Sequence, residues 1–291
     1  MKIIVIGATG MLGYSIFSNL SESPDLEVFG TVRSLEGLDK YFPTFDKLIN
    51  NVDVRDFKTL ENALDRVTPN VVINCIGLIK QHEVSKQHVE AIEINALLPH
   101  KIAQLCDSIG AKLIHFSTDC VFDGKVGNYL ENDLPTATDL YGRSKCLGEV
   151  DYGNHVTLRT SIIGHELRSS VSLVDWFLSQ SGPVKGFSKA VFSGLPTAYI
   201  AKVLEEYVLP NKSLSGLYQL SVEPIDKYSL ISMISKIYGK EISIEKFDDF
   251  IIDRSLSSDK FRRATGFTPP SWDYLIKFMF DDFKRRYIAW K

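Results

Sequence analysis

The first thirteen residues constrain the fold of this chain more than any other segment. Lys2–Ile6 is an apolar run typical of a buried strand, and Gly7-Ala8-Thr9-Gly10-Met11-Leu12-Gly13 follows it directly. Glycines at these spacings allow a tight turn, a close approach of the backbone to a pyrophosphate, and close packing of the next helix on the sheet. The N–H groups at the start of that helix favour an anion. The segment therefore predicts a dinucleotide site formed by Gly7, Thr9, Gly10, Met11, Leu12 and Gly13.

The rest of the first half alternates between strand and helix patterns. Strands are predicted at Glu27–Thr31, Leu48–Val52, Val71–Asn74 and Lys112–Ser117, and helices at Met11–Leu20, Phe57–Arg66 and Val89–Ser108. Short apolar runs with amphipathic helices between them are typical of a parallel sheet that is buried on both faces. Right-handed crossovers then give an α/β fold with a Rossmann-type, doubly wound parallel sheet.

From about Gly164 the elements become shorter and their types are mixed. Helices are predicted at Leu173–Gln180, Thr197–Leu209, Lys227–Tyr238 and Trp272–Tyr287, and strands at Gly216–Leu220 and Ile242–Phe247. We expect a Rossmann domain at 1–164 and a smaller mixed α/β substrate domain at 165–291, with a segment at about 190–210 returning to the first domain. Ligands of open α/β folds bind at the carboxyl edge of the sheet, which the second domain would cover.

The composition is that of an ordinary globular protein, and it excludes several function classes. The 291 residues carry 33 Lys and Arg against 36 Asp and Glu, a formal net charge of −3. This balance argues against nucleic-acid binding. No apolar run approaches the roughly 20 residues that span a bilayer, so no membrane segment is expected. The four cysteines lack metal-binding spacing, which predicts reduced thiols, no metal site and a cytoplasmic location.

Two further segments are expected to bind the adenosine end of the dinucleotide. After the second strand the chain reads Gly30-Thr31-Val32-Arg33-Ser34, with a cation where an NAD site usually has a carboxylate. A guanidinium there can pair with a 2′-phosphate, so NADPH is the predicted cofactor in preference to NADH. Asp53 and Val54, at the end of the third strand, are placed to meet the adenine.

Three side chains form a candidate catalytic group for carbonyl reduction. Tyr141 and Lys145 are four residues apart, which places them on one face of a helix, and Thr118 ends a predicted strand. In the predicted reaction Tyr141 donates a proton to the carbonyl oxygen, Thr118 hydrogen-bonds that oxygen, and a nicotinamide supplies hydride. Lowering a tyrosine pKa from near 10 to about 7 takes about 4 kcal/mol, which an ammonium about 4 Å away supplies. Lys145 is therefore expected to lower the pKa of Tyr141.

Four motifs, GATGMLG, FSTDCVFDG, YGRSK and SLSSDKFRRATGFTPPSW, resemble those of the extended short-chain dehydrogenase/reductases, and in particular the dTDP-4-dehydrorhamnose reductase group. The resemblance covers almost the whole chain. It implies NADPH-dependent reduction of the 4-keto group of a nucleotide-linked 6-deoxy sugar for polysaccharide biosynthesis. The implied catalytic residues are Thr118, Tyr141 and Lys145. The implied cofactor contacts after the fourth strand are Cys75, Ile76 and Gly77, together with Tyr141 and Lys145. The implied substrate contacts are Gln81, His82, Asp119 and Arg254.

Departures from the family pattern leave several alternatives open. The substrate loop reads GLIKQHE, so a dTDP-linked sugar and a UDP-linked 2-acetamido sugar both fit. Cys120 follows Asp119 where a 4,6-dehydratase carries an acidic pair, which argues against that enzyme. Cys120 and His165 lie near the acid and base positions of an epimerase-reductase. A regulatory subunit that binds NADP and a partner protein without turnover is a further alternative, although Tyr141 and Lys145 are intact. A homodimer is also kept open.

Overall fold

The computed structural model describes residues 1–78 and 87–288. Its strands are β1 (Lys2–Ile6), β2 (Glu27–Thr31), β3 (Leu48–Ile49), β4 (Val71–Asn74), β5 (Lys112–Thr118), β6 (Val156–Thr160), β7 (Ile162–Ile163), β8 (Val184–Phe187), β9 (Ala190–Phe192), β10 (Leu195–Pro196), β11 (Gly216–Gln219), β12 (Ile225–Asp226), β13 (Ile244–Phe247) and β14 (Ile252–Asp253). Its helices are α1 (Met11–Leu20), α2 (Phe57–Val67), α3 (His88–Ala91), α4 (Leu98–Ile109), α5 (Leu140–Leu147), α6 (Leu173–Ser179), α7 (Thr197–Val203), α8 (Lys227–Tyr238), α9 (Asp259–Thr265) and α10 (Trp272–Arg286).

The central sheet of the described chain has seven parallel strands in the order β3-β2-β1-β4-β5-β6-β11. Helices cover both of its faces. Ile3 and Val5 of β1 pack in one apolar cluster with residues of α1 and α7, whereas Ile4 and Ile6 pack in another with residues of α2 and α4. This arrangement confirms the predicted α/β fold with a doubly wound parallel sheet.

Several predicted elements are shorter or less regular in the structure; for example, the helix predicted at Thr197–Leu209 becomes α7 and a π-helical turn at Leu204–Val208. The third strand ends at Ile49 and not at Val52, because Asn51 has a left-handed φ of +60° that interrupts an extended chain. The helix predicted over Val89–Ser108 is divided into α3, a π-helical turn at Ile92–Leu97, and α4. Pro99 has no N–H group to donate to the carbonyl four residues earlier, so the regular α-helical ladder cannot continue through it.

The second half of the chain contributes to both parts of the molecule. β11 extends the central sheet beside β6, β10 pairs with β7, and α7 packs against α1. The strand predicted at Gly216–Leu220 therefore belongs to the large sheet and not to a smaller domain. The remaining short strands form the pair β8–β13 and the group β12-β9-β14, with α8 in contact with both. The division of the chain at residue 164 stays a prediction.

The C-terminal helix α10 packs against α7 and α8 through its buried residues Trp272, Leu275, Ile276 and Met279. Trp272 also donates from Nε1 to the carbonyl of Glu223 at 2.7 Å. Within residues 1–78 and 87–288, no helix combines the length and the apolar composition needed to cross a bilayer.

Candidate active site

The turn between β1 and α1 depends on its glycines. Gly7 has a left-handed φ of +85°, and a Cβ on Gly13 would lie 2.0 Å from the carbonyl oxygen of Gly7. Gly10 is the N-cap of α1 and has no side chain that could accept from the N–H groups of the first turn. Those groups, starting with Met11 and Leu12, can therefore bind an anion.

A cavity of about 1080 Å³ opens beside this turn. The predicted cofactor residues Thr9, Arg33 and Asp53 all line it. The volume suits a large part of a dinucleotide. Val54, which was predicted alongside Asp53, instead packs against the apolar cluster under α2.

Asp53 forms a bidentate ion pair with Arg55, a residue that the sequence did not single out. Nε of Arg55 donates to Oδ1 at 3.0 Å, and Nη2 donates to Oδ2 at 2.5 Å. These hydrogen bonds lower the pKa of the Asp53 carboxyl, with the charges of Arg55 and Arg33 acting in the same direction. Asp53 therefore stays ionised and brings a second arginine to the wall of the cavity.

The chain after β4 is held against the helix that carries Tyr141 and Lys145. Asn74 accepts from the N–H of Ile76 at 3.0 Å, and a Cβ on Gly77 would lie 3.8 Å from Nζ of Lys145. Asn95, in the π-helical turn, accepts from the N–H of Leu78 at 2.8 Å and donates to Ser144 at 3.2 Å. Asn95 is buried and joins the expected cofactor cradle to α5. π-Helical turns are frequent at functional sites, but this asparagine has no sequence signature of its own.

The three predicted catalytic side chains meet where β5 ends and α5 begins. The N-cap Asp139 accepts from the N–H of Gly142 at 2.9 Å and fixes the first turn of α5, which carries Tyr141. The hydroxyl of Thr118, the last residue of β5, hydrogen-bonds with Tyr141. Lys145 is only 5% exposed, and its Nζ donates to the carbonyl of Phe116 at 2.6 Å.

The charge states of this group differ in one respect from the expectation. Burial raises the pKa of Tyr141 above its ordinary value, the nearby Cys120 thiol also raises it, and the hydrogen bond with Thr118 opposes them. The expected lowering of this pKa by Lys145 is therefore wrong for the resting structure, because the ammonium is turned to the Phe116 carbonyl. Burial lowers the pKa of Lys145 to about 8, against the opposing charge of Glu149. At neutral pH the phenol is protonated and Lys145 remains mainly a cation.

The C-terminal half brings Arg254 to the same strand end. Its Nε donates to the carbonyl of Phe122 at 3.0 Å, and Nη1 lies 3.5 Å from Sγ of Cys120. Burial raises the pKa of Asp119, while a hydrogen bond with Ser161 and the charge of Arg254 lower it. Two of the predicted substrate residues, Asp119 and Arg254, therefore lie next to Thr118.

The other predicted substrate residues, Gln81 and His82, lie outside the described residues. Cys75 is partly buried, and burial raises the pKa of its thiol. In the described ranges 1–78 and 87–288, no group of three or more His, Cys, Asp or Glu side chains is arranged to hold a metal ion.

A buried ion pair under the site connects α5 to the sheet. Arg159 of β6 donates from Nε and Nη2 to the two carboxylate oxygens of Glu149, each at 2.7 Å, and Ser117 of β5 donates to the same carboxylate at 2.6 Å. The two charged side chains are only 3% and 9% exposed. The pair anchors the end of the helix that carries Tyr141 and Lys145 to two adjacent strands.

The family model described as the RmlD substrate binding domain matches residues 1–223. Agl14 of Haloferax volcanii, a probable low-salt glycan biosynthesis reductase, is 35% identical over 150 residues, which are 51% of this chain and 48% of that protein. The chain thus spans about half the length of this curated relative. The methionine adenosyltransferase 2 subunit beta of Danio rerio is 27% identical over 253 residues, 82% of this chain and 74% of that protein.

Solved structures show the same fold. The dTDP-4-dehydrorhamnose reductase of Bacillus anthracis in complex with NADP has a TM-score of 0.78 at 20% identity, and the match covers 97% of this chain and 99% of that chain. A hypothetical dTDP-4-dehydrorhamnose reductase from Sulfolobus tokodaii has a TM-score of 0.76 at 26% identity, with 94% and 98% covered.

The fold and the family match place the chain among the extended short-chain dehydrogenase/reductases. Because the family model matches 223 of the 291 residues, the chain belongs to the RmlD substrate binding domain family. The expected resemblance is thereby confirmed. Structural neighbours contain NADP or NAD. A nicotinamide dinucleotide also fits the residues here, since Gly7 and Gly13 leave the start of α1 open and the adjoining cavity is lined by arginines.

Proposed function

We propose that the protein is an NADPH-dependent reductase of the 4-keto group of a nucleotide-linked 6-deoxy-4-keto-hexose. The substrate is a dTDP-4-dehydrorhamnose-like sugar or a UDP-linked 2-acetamido-2,6-dideoxy-4-ulose. The observation that carries the proposal is the meeting of Thr118, Tyr141 and Lys145 beside the chain that follows β4. Membership in the RmlD substrate binding domain family supports it, as does the likeness to a protein described as a glycan biosynthesis reductase.

The residues of the site suit a proton transfer to a carbonyl oxygen. A nicotinamide cofactor, when bound, would supply hydride to the carbonyl carbon. Tyr141 holds a proton at neutral pH, because burial raises its pKa, and donates that proton to the developing alkoxide. Thr118 hydrogen-bonds the phenol and orients it. Lys145, on the same face of α5, stabilises the phenolate that remains.

We propose that the substrate enters from the side of the C-terminal half. Arg254 is held at the end of β5 by Phe122 and Cys120, and it is close enough to Asp119 to lower the pKa of that carboxyl. These two side chains offer a cation and a hydrogen-bonding carboxyl to the sugar nucleotide. Gln81 and His82 remain proposed substrate contacts from the sequence alone. Because the four cysteines are free thiols in the structure, we also propose a cytoplasmic location.

The preference for NADPH rests on the arginines of the cavity. Arg33 follows β2 and lines the cavity together with Arg55. Because Arg55 is paired with Asp53, Arg33 is the better placed cation for a 2′-phosphate.

The test offers NADPH with dTDP-4-keto-rhamnose and, separately, with a UDP-linked 2-acetamido-4-keto-6-deoxy hexose. We expect loss of NADPH absorbance with one of them and an alcohol at C4 by NMR. Tyr141→Phe is the matched control, because it removes only the proton donor, and we expect a loss of turnover of about 10²–10⁴-fold with NADPH binding retained. Turnover of neither sugar by the wild-type protein would refute the proposal.

A second candidate function is that of a subunit in a protein assembly. The identity of 27% with methionine adenosyltransferase 2 subunit beta over 82% of this chain favours it. Two results together would establish this candidate over the reductase, namely no turnover of either sugar and a stable complex with a methionine adenosyltransferase in size-exclusion chromatography.

A further inference from the structure

Two residues of the dinucleotide cavity come from the C-terminal half, and neither has a role in the function proposed above. The cavity is lined by Thr9, Arg33 and Arg55, which belong to the Rossmann half. Leu167 and Arg168, from the chain between β7 and α6, also line it. Leu167 is buried in the main apolar cluster, whereas Arg168 is exposed.

Hydrogen bonds join the two ends of residues 164–172, a segment that we call the 164–172 arm. Ser172 donates from Oγ to the carbonyl of Gly164 at 3.0 Å. The Glu166 carboxylate accepts from the N–H groups of Val171 at 2.8 Å and Ser172 at 3.0 Å. The two ends of the arm therefore meet, and Arg168 lies in the loop between them.

The base of the arm is anchored to the packed helices. Both oxygens of the buried Asp175 carboxylate are in hydrogen bonds, one with Nδ1 of His165 at 2.7 Å and the other with the N–H of Glu166 at 2.6 Å. A Cβ on Gly164 would lie 2.4 Å from Oγ1 of Thr197, so the arm starts in close contact with α7. The position of Arg168 is thus set by contacts that do not involve its own side chain.

The guanidinium of Arg168 contacts the loop that carries Arg33. Its Nη2 donates to the carbonyl of Glu36 at 3.2 Å, across 132 residues of sequence. Glu36 follows Arg33 by three residues in the loop after β2. Among the described residues, Arg168 makes no ion pair with a carboxylate, whereas Arg55 is paired with Asp53. Arg168 therefore brings to the loop after Arg33 a cation that is in no ion pair among the described residues.

We propose that Arg168 is a second ligand of the cofactor's 2′-phosphate and acts together with Arg33. This inference rests on the proposed use of NADPH. A phosphate held between two guanidinium groups is bound by charge-assisted hydrogen bonds from both. The 164–172 arm makes the preference for NADPH depend on the C-terminal half as well as on the loop after β2.

The test measures binding of NADPH and NADH to the full chain by calorimetry, without sugar substrate. We expect Arg168→Ala to raise the Kd of NADPH by about tenfold to a hundredfold and to change the Kd of NADH by less than about twofold. Arg168→Lys should recover part of the affinity, because it keeps the charge but not the fork. Arg263→Ala, at an exposed arginine of α9 away from the cavity, is the matched control.

The outcomes separate this inference from the proposed function. Equal wild-type affinities for NADPH and NADH would refute the proposed cofactor preference itself. A wild-type preference that survives Arg168→Ala would refute the role of Arg168 alone. An equal weakening of both cofactors would place Arg168 on the pyrophosphate and overturn its assignment to the 2′-phosphate.

Discussion

Replacing Lys145 by Met should stabilise the fold while it removes the activity. Burial lowers the pKa of Lys145 from its ordinary 10.5 to about 8, so the fold disfavours the ammonium. A shift of this size corresponds to about 3 kcal/mol at pH 7. The variant also loses the hydrogen bond from Nζ to the Phe116 carbonyl, which lowers its stability by about 1 kcal/mol. We therefore expect a net stabilisation of about 2 kcal/mol, because Met fills a similar volume without a charge.

The lowered pKa of Lys145 also determines how the stability of the wild type changes with pH. Below about pH 8 the ammonium is present in both the folded and the unfolded chain, and its full destabilising effect remains. Between about pH 8 and 10.5 the folded chain has lost this proton and the unfolded chain has not, so wild-type stability from this group rises with pH. Burial lowers the pKa of the His115 imidazole, so this group titrates below the window. Burial raises the pKa of the Cys75 thiol, and the unfolded thiol titrates within the window, but this contribution is present in both the wild type and the variant and cancels in the difference between them.

Thermal unfolding of the wild type and Lys145→Met at pH 7 and pH 9.5 measures both effects. For a chain of 291 residues the unfolding entropy is about 0.6 kcal/mol per degree, so the expected gain in Tm at pH 7 is about 3 °C. At pH 9.5 the gain should fall below about 1 °C. Lys236→Met, at an exposed position of α8, is the control and should leave Tm unchanged. A lower Tm for Lys145→Met, or a gain that is the same at both pH values, would refute the reasoning.

Three further predictions test other parts of the site. Arg33→Ala should remove most of the preference for NADPH over NADH, as titration with both cofactors would show, and an unchanged preference contradicts the role of Arg33. Gly13→Ala should abolish NADPH binding in calorimetry, because its Cβ would lie 2.0 Å from the Gly7 oxygen, and wild-type affinity in a folded variant would exclude this turn as the site. Glu149→Gln should lower Tm by about 5–8 °C, because it leaves Arg159 as a buried charge without its partner, which costs about 3–5 kcal/mol. Glu149→Gln combined with Arg159→Met should recover much of that loss, and a fall below 1 °C in the single variant would contradict the argument.

Features fixed by short-range spacing could be predicted from the sequence. β1, β2 and β4 have the predicted bounds, because each is an apolar run ended by glycine or polar residues. Tyr141 and Lys145 share one face of α5 because they are four residues apart. The glycine turn could be predicted because α1 approaches the end of β1 so closely that only glycine fits at the contact.

Features that depend on distant residues could not be predicted. Asn95 and Arg168 reach the site through hydrogen bonds that span 17 or more residues of sequence. The bidentate contact of Arg55 with Asp53 is local, but no pattern in the sequence indicates that it faces the cavity. The direction of the Tyr141 pKa depends on how deeply the phenol is buried and on where Nζ of Lys145 points, and spacing along a helix reports neither.

The opposite pKa shifts of Tyr141 and Lys145 have one consequence for the proposed reaction. At rest the phenol is neutral, and the buried ammonium is offset only in part by Glu149. When Tyr141 gives its proton to the substrate oxygen, a phenolate forms on the same helix face as the buried Lys145, and the two opposite charges attract more strongly there than in water. This attraction grows only as the proton leaves, so it lowers the barrier without stabilising the resting state. The same charge on Lys145 therefore destabilises the fold and assists the reaction, and Lys145→Met must change both together.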